Sequence, residues 1–132
     1  MKALARRDFS ERGLRERLER AGIDHDEAER VLARLRDQGI VNEARFAANR
    51  AHALAERGKG DVAIRFDLES QGLPAELIES ALAELEPERV RVERIITSRG
   101  ASPATARLLA SRGFNGDVVE AVVASSPRAA LG

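Results

Sequence analysis

A pattern centred on a glycine occurs three times in this chain, around Gly22, Gly72 and Gly113. Side chains of similar size and polarity stand at the same distances before and after each glycine. In the first copy they are Leu14, Leu18, Ile23, Ala28, Val31 and Leu32. In the second copy they are Ile64, Leu68, Leu73, Ile78, Ala81 and Leu82. In the third copy they are Thr105, Leu109, Phe114, Val119, Val122 and Val123. Agreement at seven positions in three places predicts a tandem helical repeat.

Each copy predicts a helix, a sharp corner at the glycine and a second helix. Leu14 and Leu18 lie four residues apart, so they share one face of a helix. Ser10 is a suitable N-cap, and Gly22 suits the left-handed position just past a helix end. A lone pair of such helices cannot bury its apolar stripe, so neighbouring copies are expected to pack on each other.

The remaining segments extend this arrangement over the whole chain. Further helices are predicted at about 1–7, 26–38, 42–57, 87–98, 103–111 and 117–125, with a frayed end at 126–132. No stretch alternates with period two for long enough to indicate a strand. We therefore predict an all-α fold of three tandem three-helix repeats in an elongated array, which can curve. The predicted domains are an N-terminal module at 1–41, an acidic central module at 42–86 and a C-terminal module at 87–132.

The first helix of the second repeat is unusually apolar. It carries Val62, Ile64, Phe66 and Leu68 within seven residues. We expect it to be the most buried helix of the chain.

Composition excludes several classes of function. The chain has no cysteine, which excludes disulfides and thiolate metal sites, and no apolar run long enough to span a membrane. Gly58-Lys59-Gly60 is followed by Asp61 rather than Ser or Thr, so we interpret it as a helix cap and linker, not a phosphate loop. His25 and His52 have no companions at a metal-ligand spacing. We expect a cytoplasmic protein that is not an enzyme and uses no cofactor or metal.

The charge is zero overall but unevenly distributed. Residues 1–20 carry seven basic and four acidic groups, whereas residues 61–88 carry one basic and eight acidic groups. Residues 89–132 carry seven basic and three acidic groups. The ends are therefore basic and the middle is acidic, although such runs are often simply solvated helix faces.

Three segments resemble the RecX family. They are 5–10, which reads Ala-Arg-Arg-Asp-Phe-Ser; 39–47, which begins Gly-Ile-Val-Asn-Glu; and Arg57-Gly58-Lys59-Gly60, with the later corner Arg112-Gly113-Phe114. The resemblance implies a monomeric, all-helical protein that binds the RecA filament on single-stranded DNA, in the filament groove. It also implies suppression of ATP hydrolysis, strand exchange and the co-protease activity that triggers the SOS response. The sequence departs from the family at Asn42-Glu43, where a pair of Asp is common, and in its acidic second repeat.

Arginines are the candidate contact residues, because their planar guanidinium groups bind phosphates and carboxylates through two hydrogen bonds. The candidates for binding a partner or nucleic acid are Arg6, Arg7, Arg12, Arg15, Arg45, Arg57, Lys59, Arg94, Arg99, Arg107 and Arg112. Any of them can instead form an ordinary pair on a helix surface, as the spacing of Arg12 and Glu16 indicates. A second hypothesis assigns an acidic set to a basic groove on the partner: Glu69, Glu76, Glu79, Glu84 and Glu86.

Two other functions compete with filament regulation. Glycine corners between helices suit a helix–turn–helix protein that binds DNA on its own. Net neutrality and the acidic middle argue against this, since phosphate contacts need clustered positive charge. The other alternative is a general helical adaptor for a different protein partner. Tight, salt-sensitive binding to bare DNA favours the first alternative, and capture of a different partner favours the second.

Overall fold

The computed structural model describes residues 9–125, and this part of the chain folds into α-helices. Eight helices occur there: α1 (Glu11–Arg20), α2 (His25–Asp37), α3 (Glu43–Glu56), α4 (Asp61–Ser70), α5 (Ala75–Ala83), α6 (Glu88–Arg99), α7 (Pro103–Ser111) and α8 (Gly116–Ser125). Within 9–125 the only β pairing is an isolated parallel bridge between Phe9 and Val41. The all-α prediction is confirmed, whereas the helix predicted at 1–7 and the frayed end at 126–132 lie outside the described residues.

The three predicted corners have the same backbone geometry. Gly22, Gly72 and Gly113 have φ values of 89°, 79° and 84°, in the region that disfavours any residue with a Cβ. At each corner the next residue donates its amide back to the helix it has left, with N–O distances of 3.1, 3.4 and 3.1 Å. The donors are Ile23, Leu73 and Phe114, and the acceptors are Leu18, Leu68 and Leu109. This glycine-ended terminus is therefore present in every copy of the repeat, and it also ends the helices before Gly39 and Gly58, where φ is 75° and 84°.

The predicted N-cap at Ser10 forms, and two further helices are capped in the same way. Ser10, Asn42 and Ser102 each accept a hydrogen bond from the backbone amide three residues later, which satisfies a donor that the helix cannot. Helix α2 begins at His25, one residue earlier than predicted, because the Asp24 side chain caps it.

The helices form an N-terminal pair (α1–α2), a central group (α3–α5) and a C-terminal group (α6–α8). The central group buries one apolar cluster, formed by Ala47, Ala51, Ile64, Leu68, Leu73, Ile78, Ala81 and Leu82. The C-terminal group buries a second, formed by Val92, Ile96, Leu109, Phe114, Val119 and Val122. Each cluster draws on all three helices of its group, so each group carries its own core. The domain limits 1–41, 42–86 and 87–132 stay predictions.

We expected α4 to be the most buried helix because of four apolar residues. This expectation is wrong for two of the four. Ile64 and Leu68 are fully buried, but Val62 is 53% exposed and Phe66 is 72% exposed. Residues two apart in a helix point in widely different directions, so the pair at 64 and 68 faces the core while the pair at 62 and 66 faces outward. Within residues 9–125, no helix has the length and apolarity to cross a membrane.

Candidate interaction surface

The central and C-terminal groups meet at a joint, here called the second joint, that is closed by backbone hydrogen bonds. The amide of Gly60 donates to the carbonyl of Arg112 at 2.8 Å, and the amide of Val62 donates to the carbonyl of Gly113 at 3.0 Å. A Cβ on Gly60 would lie 2.4 Å from the Gly113 oxygen, so glycine is needed for this approach. The linker Gly58-Lys59-Gly60 is therefore docked on the Arg112-Gly113 corner.

Two side chains of α6 complete the second joint. The carboxylate of Glu88 accepts the amide of Asp61 at 2.7 Å and the amide of Asn115 at 3.2 Å, so it links both groups. Arg91 is 7% exposed, pairs with the Asp61 carboxylate and donates to the Lys59 carbonyl at 3.1 Å. Its guanidinium carbon lies 5.9 Å from the centre of the Phe114 ring. The buried charge is thus fully engaged by groups on both sides of the joint.

The N-terminal pair meets the central group at a first joint built mainly from side chains. Glu43 accepts the amide of Glu11 at 3.3 Å, the counterpart of the Glu88 contact. The Arg12 side chain donates to the Ser70 carbonyl at 3.2 Å and lies against Gly72. Counted from the corner glycines, Arg12 corresponds to Val62 and Ser10 corresponds to Gly60. The same repeat positions therefore make both joints, by different chemistry.

Four of the predicted contact residues are engaged within the chain. Arg15 pairs with Glu29 at 2.5 and 3.3 Å, and Arg94 pairs with Glu86 at 2.9 and 2.9 Å. Arg12 bonds to Ser70, as described, and lies 3.5 Å from Glu16. Arg45 donates to the Gly39 carbonyl at 2.9 Å.

The ion pairs perturb the titration of their members. The hydrogen bond from Arg15 lowers the pKa of Glu29, and the pair in turn raises the pKa of Arg15. The hydrogen bond from Arg94 lowers the pKa of Glu86 in the same way. Arg65 and Glu79 form a further pair at 3.0 and 3.2 Å, which lowers the pKa of Glu79. Arg65 and Glu79 occupy the same repeat positions as Arg15 and Glu29. We therefore interpret both ion pairs as structural features of the repeat.

Five of the predicted residues make no side-chain hydrogen bond or ion pair within residues 9–125: Arg57, Lys59, Arg99, Arg107 and Arg112. The structure brings three of them together. Arg57 and Lys59 flank Gly58, and a guanidinium nitrogen of Arg112 lies 2.8 Å from where a Cβ of Gly58 would stand. We call Arg57, Lys59 and Arg112 the basic joint patch. Arg6 and Arg7 lie outside the described residues.

The acidic set is divided by the structure. Glu79 and Glu86 pair with arginines of their own chain. Glu69, Glu76 and Glu84 are exposed and have no hydrogen-bond or ion-pair partner among the described residues. Of the acidic set, only these three carboxylates remain available for an outside cation.

The sequence analysis did not identify the residues that hold the joints, and it assigned Phe66 to the wrong environment. Glu43, Glu88 and Arg91 hold the joints, although Arg91 looked like one more arginine of a basic segment. The sequence gives only a weak indication of this role: Glu43 and Glu88 are each the first residue in the first helix of their group. The exposed Phe66 was missed as well. Its counterparts at the same repeat position are Glu16 and Arg107, both charged, which would have predicted an outward position.

Comparisons with known proteins agree with the geometry. Residues 1–35 match the first three-helix domain of RecX, and residues 42–82 match the second. The regulatory protein RecX of Syntrophotalea carbinolica is 38% identical over 94 residues, which cover 70% of this chain and 61% of that protein. The regulatory protein RecX of Halorhodospira halophila is 32% identical over 136 residues, which cover 96% of this chain and 84% of that protein.

A solved structure supports the fold. The crystal structure of RecX from Lactobacillus salivarius superimposes with a TM-score of 0.76 over 93% of this chain and 88% of that one, at 15% sequence identity. The likeness at this identity concerns the arrangement of helices alone. The two matched domains and the relatives that align along nearly the whole chain agree with this arrangement. The chain belongs to the RecX family of regulatory proteins.

Proposed function

We propose that this protein is a negative regulator of RecA that binds the RecA filament on single-stranded DNA, in the filament groove. Bound there, it inhibits ATP hydrolysis, strand exchange and co-protease activity. Membership of the RecX family supports this proposal, and so does a chain built from docked helical groups. We further propose that the protein acts as a monomer in the cytoplasm and has no catalytic activity.

The observation that carries the proposal is the basic joint patch. Arg57 and Lys59 are exposed, Arg112 is half-buried, and none of the three is neutralised by a carboxylate of the described chain. Cations left free at a rigid corner can bind phosphates of the DNA or carboxylates of the filament without first breaking an internal ion pair. Arg99 and Arg107 are exposed and unpaired too, and we propose them as secondary contacts.

The mechanism follows from rigidity. A chain of docked groups that contacts neighbouring RecA subunits binds best to one arrangement of those subunits. Such a ligand shifts the filament towards that arrangement only by the difference in its affinity for the two states. It therefore opposes the changes that subunits make during the ATP cycle.

The test is the ATPase rate of RecA on single-stranded DNA, measured over a range of concentrations of this protein. We expect inhibition that saturates, and no inhibition at a several-fold molar excess would contradict the proposal. The double variant Arg57→Gln/Lys59→Gln should inhibit roughly 10-fold less well, if each exposed ion pair contributes about 0.7 kcal/mol. The matched control Arg34→Gln/Arg89→Gln removes the same charge from exposed, unpaired positions elsewhere and should inhibit like the parent.

The basic joint patch also favours a second candidate, direct binding to DNA without RecA. Fluorescence anisotropy of a labelled single-stranded oligonucleotide separates the two. Binding to the bare oligonucleotide as tight as to the filament, with a steep dependence on salt, would favour the second candidate. Weak binding to the oligonucleotide together with tight binding to the filament favours the first.

A further inference from the structure

The second joint contains a cleft beside its linker, and Gly58 contributes to the lining. Its volume is about 460 Å³, and it lies between the C-terminal half of α3, the connection from α5 to α6, and α6 itself. The apolar part of its lining is formed by Ala55, Leu85, Ile95 and Phe114. Its charged lining is formed by Glu56, Glu84, Glu86, Arg91 and Arg94, with His52 beside them. The cleft therefore joins an apolar floor to a rim of charges.

The rim carries uncompensated negative charge. Arg91 is engaged by Asp61 and by carbonyls, and Arg94 is engaged by Glu86, so neither can neutralise another carboxylate. Glu84 has no partner in the described chain. Glu56 lies 2.8 Å from the Nε2 atom of His52. Glu84 thus lines this opening without a partner, and Glu56 is contacted by an imidazole and by no arginine or lysine of the described chain.

The cleft at the first joint differs in charge. It measures about 350 Å³ and is lined by Phe9, Ser10, Gly13, Arg17, Phe46, Arg50 and Gln71, without any carboxylate. The guanidinium of Arg17 stands 5.3 Å from the centre of the Phe9 ring. An acidic rim is therefore a property of the second joint, not a consequence of how two helical groups meet.

We propose that the acidic cleft binds a short cationic, amphipathic helix of a partner protein, which places an apolar side chain on the floor and an arginine or lysine at Glu56 and Glu84. The volume falls within the range of about 300–1,000 Å³ that is usual for binding pockets. Charge complementarity to Glu56 and Glu84, together with the apolar floor, selects this chemistry over an acidic segment. The inference goes beyond the regulation of RecA and does not depend on it.

A titration with a defined probe tests this inference. The probe is a synthetic helical peptide of about 18 residues with leucine and arginine alternating along one face. Two-dimensional ¹⁵N–¹H NMR spectra of the full chain follow its addition. We expect shifts concentrated at the amides of His52, Ala55, Leu85 and Ile95. Shifts spread along other surfaces would overturn the proposal.

Paired variants separate a specific cleft from general attraction between opposite charges. Glu56→Gln/Glu84→Gln should weaken the binding of the peptide about 10-fold, by the loss of two charge contacts. The control Glu69→Gln/Glu76→Gln removes two exposed, partnerless carboxylates outside the cleft and should change the affinity less than about twofold. Equal weakening in both variants, or none in the first, would contradict the assignment. All these side chains are exposed, and the NMR spectra themselves report that the variants are folded. Either failure would leave the ATPase test of RecA regulation unaffected.

Discussion

The two joints of this chain use the same repeat positions and differ in what closes them. At the second joint Gly60 lets the start of α4 approach the Arg112-Gly113 corner closely enough for backbone hydrogen bonds. At the first joint Ser10 occupies the corresponding position, and its hydroxyl caps its own helix by accepting the amide of Gly13 at 3.0 Å. The corner around Gly72 is reached instead by the flexible side chain of Arg12. The joint with glycine and valine at these two positions is closed by backbone hydrogen bonds, and the joint with serine and arginine is closed by a side chain.

The contrast extends to the charges that each joint leaves exposed. Docking the linker at the second joint buries Arg91 and gathers Arg57, Lys59 and Arg112 at the surface. The first joint uses its arginine, Arg12, to hold the chain together. The second joint, closed by backbone bonds and by Glu88 and the buried Arg91, leaves its surface cations unpaired, whereas the first joint engages its exposed Arg12.

The largest effect is expected at Arg91. Arg91→Leu should lower the free energy of unfolding by about 3–5 kcal/mol, because it leaves the Asp61 carboxylate and two carbonyls without their donor. Denaturation by urea, followed by circular dichroism, measures it. The change Arg12→Leu at the first joint should cost less than about 1 kcal/mol, since that contact is exposed. Similar losses at the two sites would remove the contrast between the joints.

The next largest effect is expected where the glycine allows close approach. Gly60→Ala should cost about 2 kcal/mol, because the new methyl group would meet the backbone of Gly113 and Phe114. At the corresponding position, Ser10→Ala should cost about 1 kcal/mol through the lost cap. Gly116→Ala serves as the control, since a Cβ there has nothing within 4 Å. The same urea titrations would contradict the account if Gly60→Ala behaved like the control.

The smallest effect is expected for the free energy of unfolding at acidic pH. Salt bridges lower the pKa values of Glu29, Glu79 and Glu86 in the folded chain below the ordinary value of 4.5. A carboxylate with a depressed folded pKa stabilises the fold above its unfolded pKa, and that stabilisation is lost as pH falls through the folded value. Stability should therefore decline from just above pH 4.5 downward.

Variants isolate this acid dependence. Glu29→Gln/Glu79→Gln should make the decline of unfolding free energy with acid shallower, whereas the exposed Glu76→Gln should leave its slope unchanged. Unfolding by urea at a series of pH values makes the measurement. An identical slope in all three proteins would show that the repeated ion pairs contribute nothing to acid sensitivity.

The repeat spacing was sufficient to predict the helix corners and most helix ends. Glycine at a left-handed position and a capping side chain before each helix act locally, so they are visible in the sequence around Gly22 or Ser102. The error at Phe66 arose from treating a run of apolar residues as one face. The charged residues at the same repeat position, Glu16 and Arg107, carry the information that was not used.

The joints and the site could be predicted only in part. Periodicity tells which face of a helix is apolar, but it does not tell which loop docks on which corner. Arg57, Lys59 and Arg112 were named as separate candidates, and only the docking of Gly60 on the Arg112 carbonyl brings them together. The sequence likewise could not distinguish the buried Arg91 from its exposed neighbours Arg89 and Arg94, because burial there depends on the position of Asp61 in another helix.

Hydrogen exchange at the amides of Gly60 and Val62 tests most directly that the second joint is closed by backbone bonds. Measured by NMR on the full chain, both amides should exchange as slowly as the core amides of α4, while the Glu11 amide, bound only to a carboxylate at 3.3 Å, exchanges faster. Exchange at Gly60 and Val62 as fast as at Glu11 would mean that the two joints do not differ, and the account would be wrong.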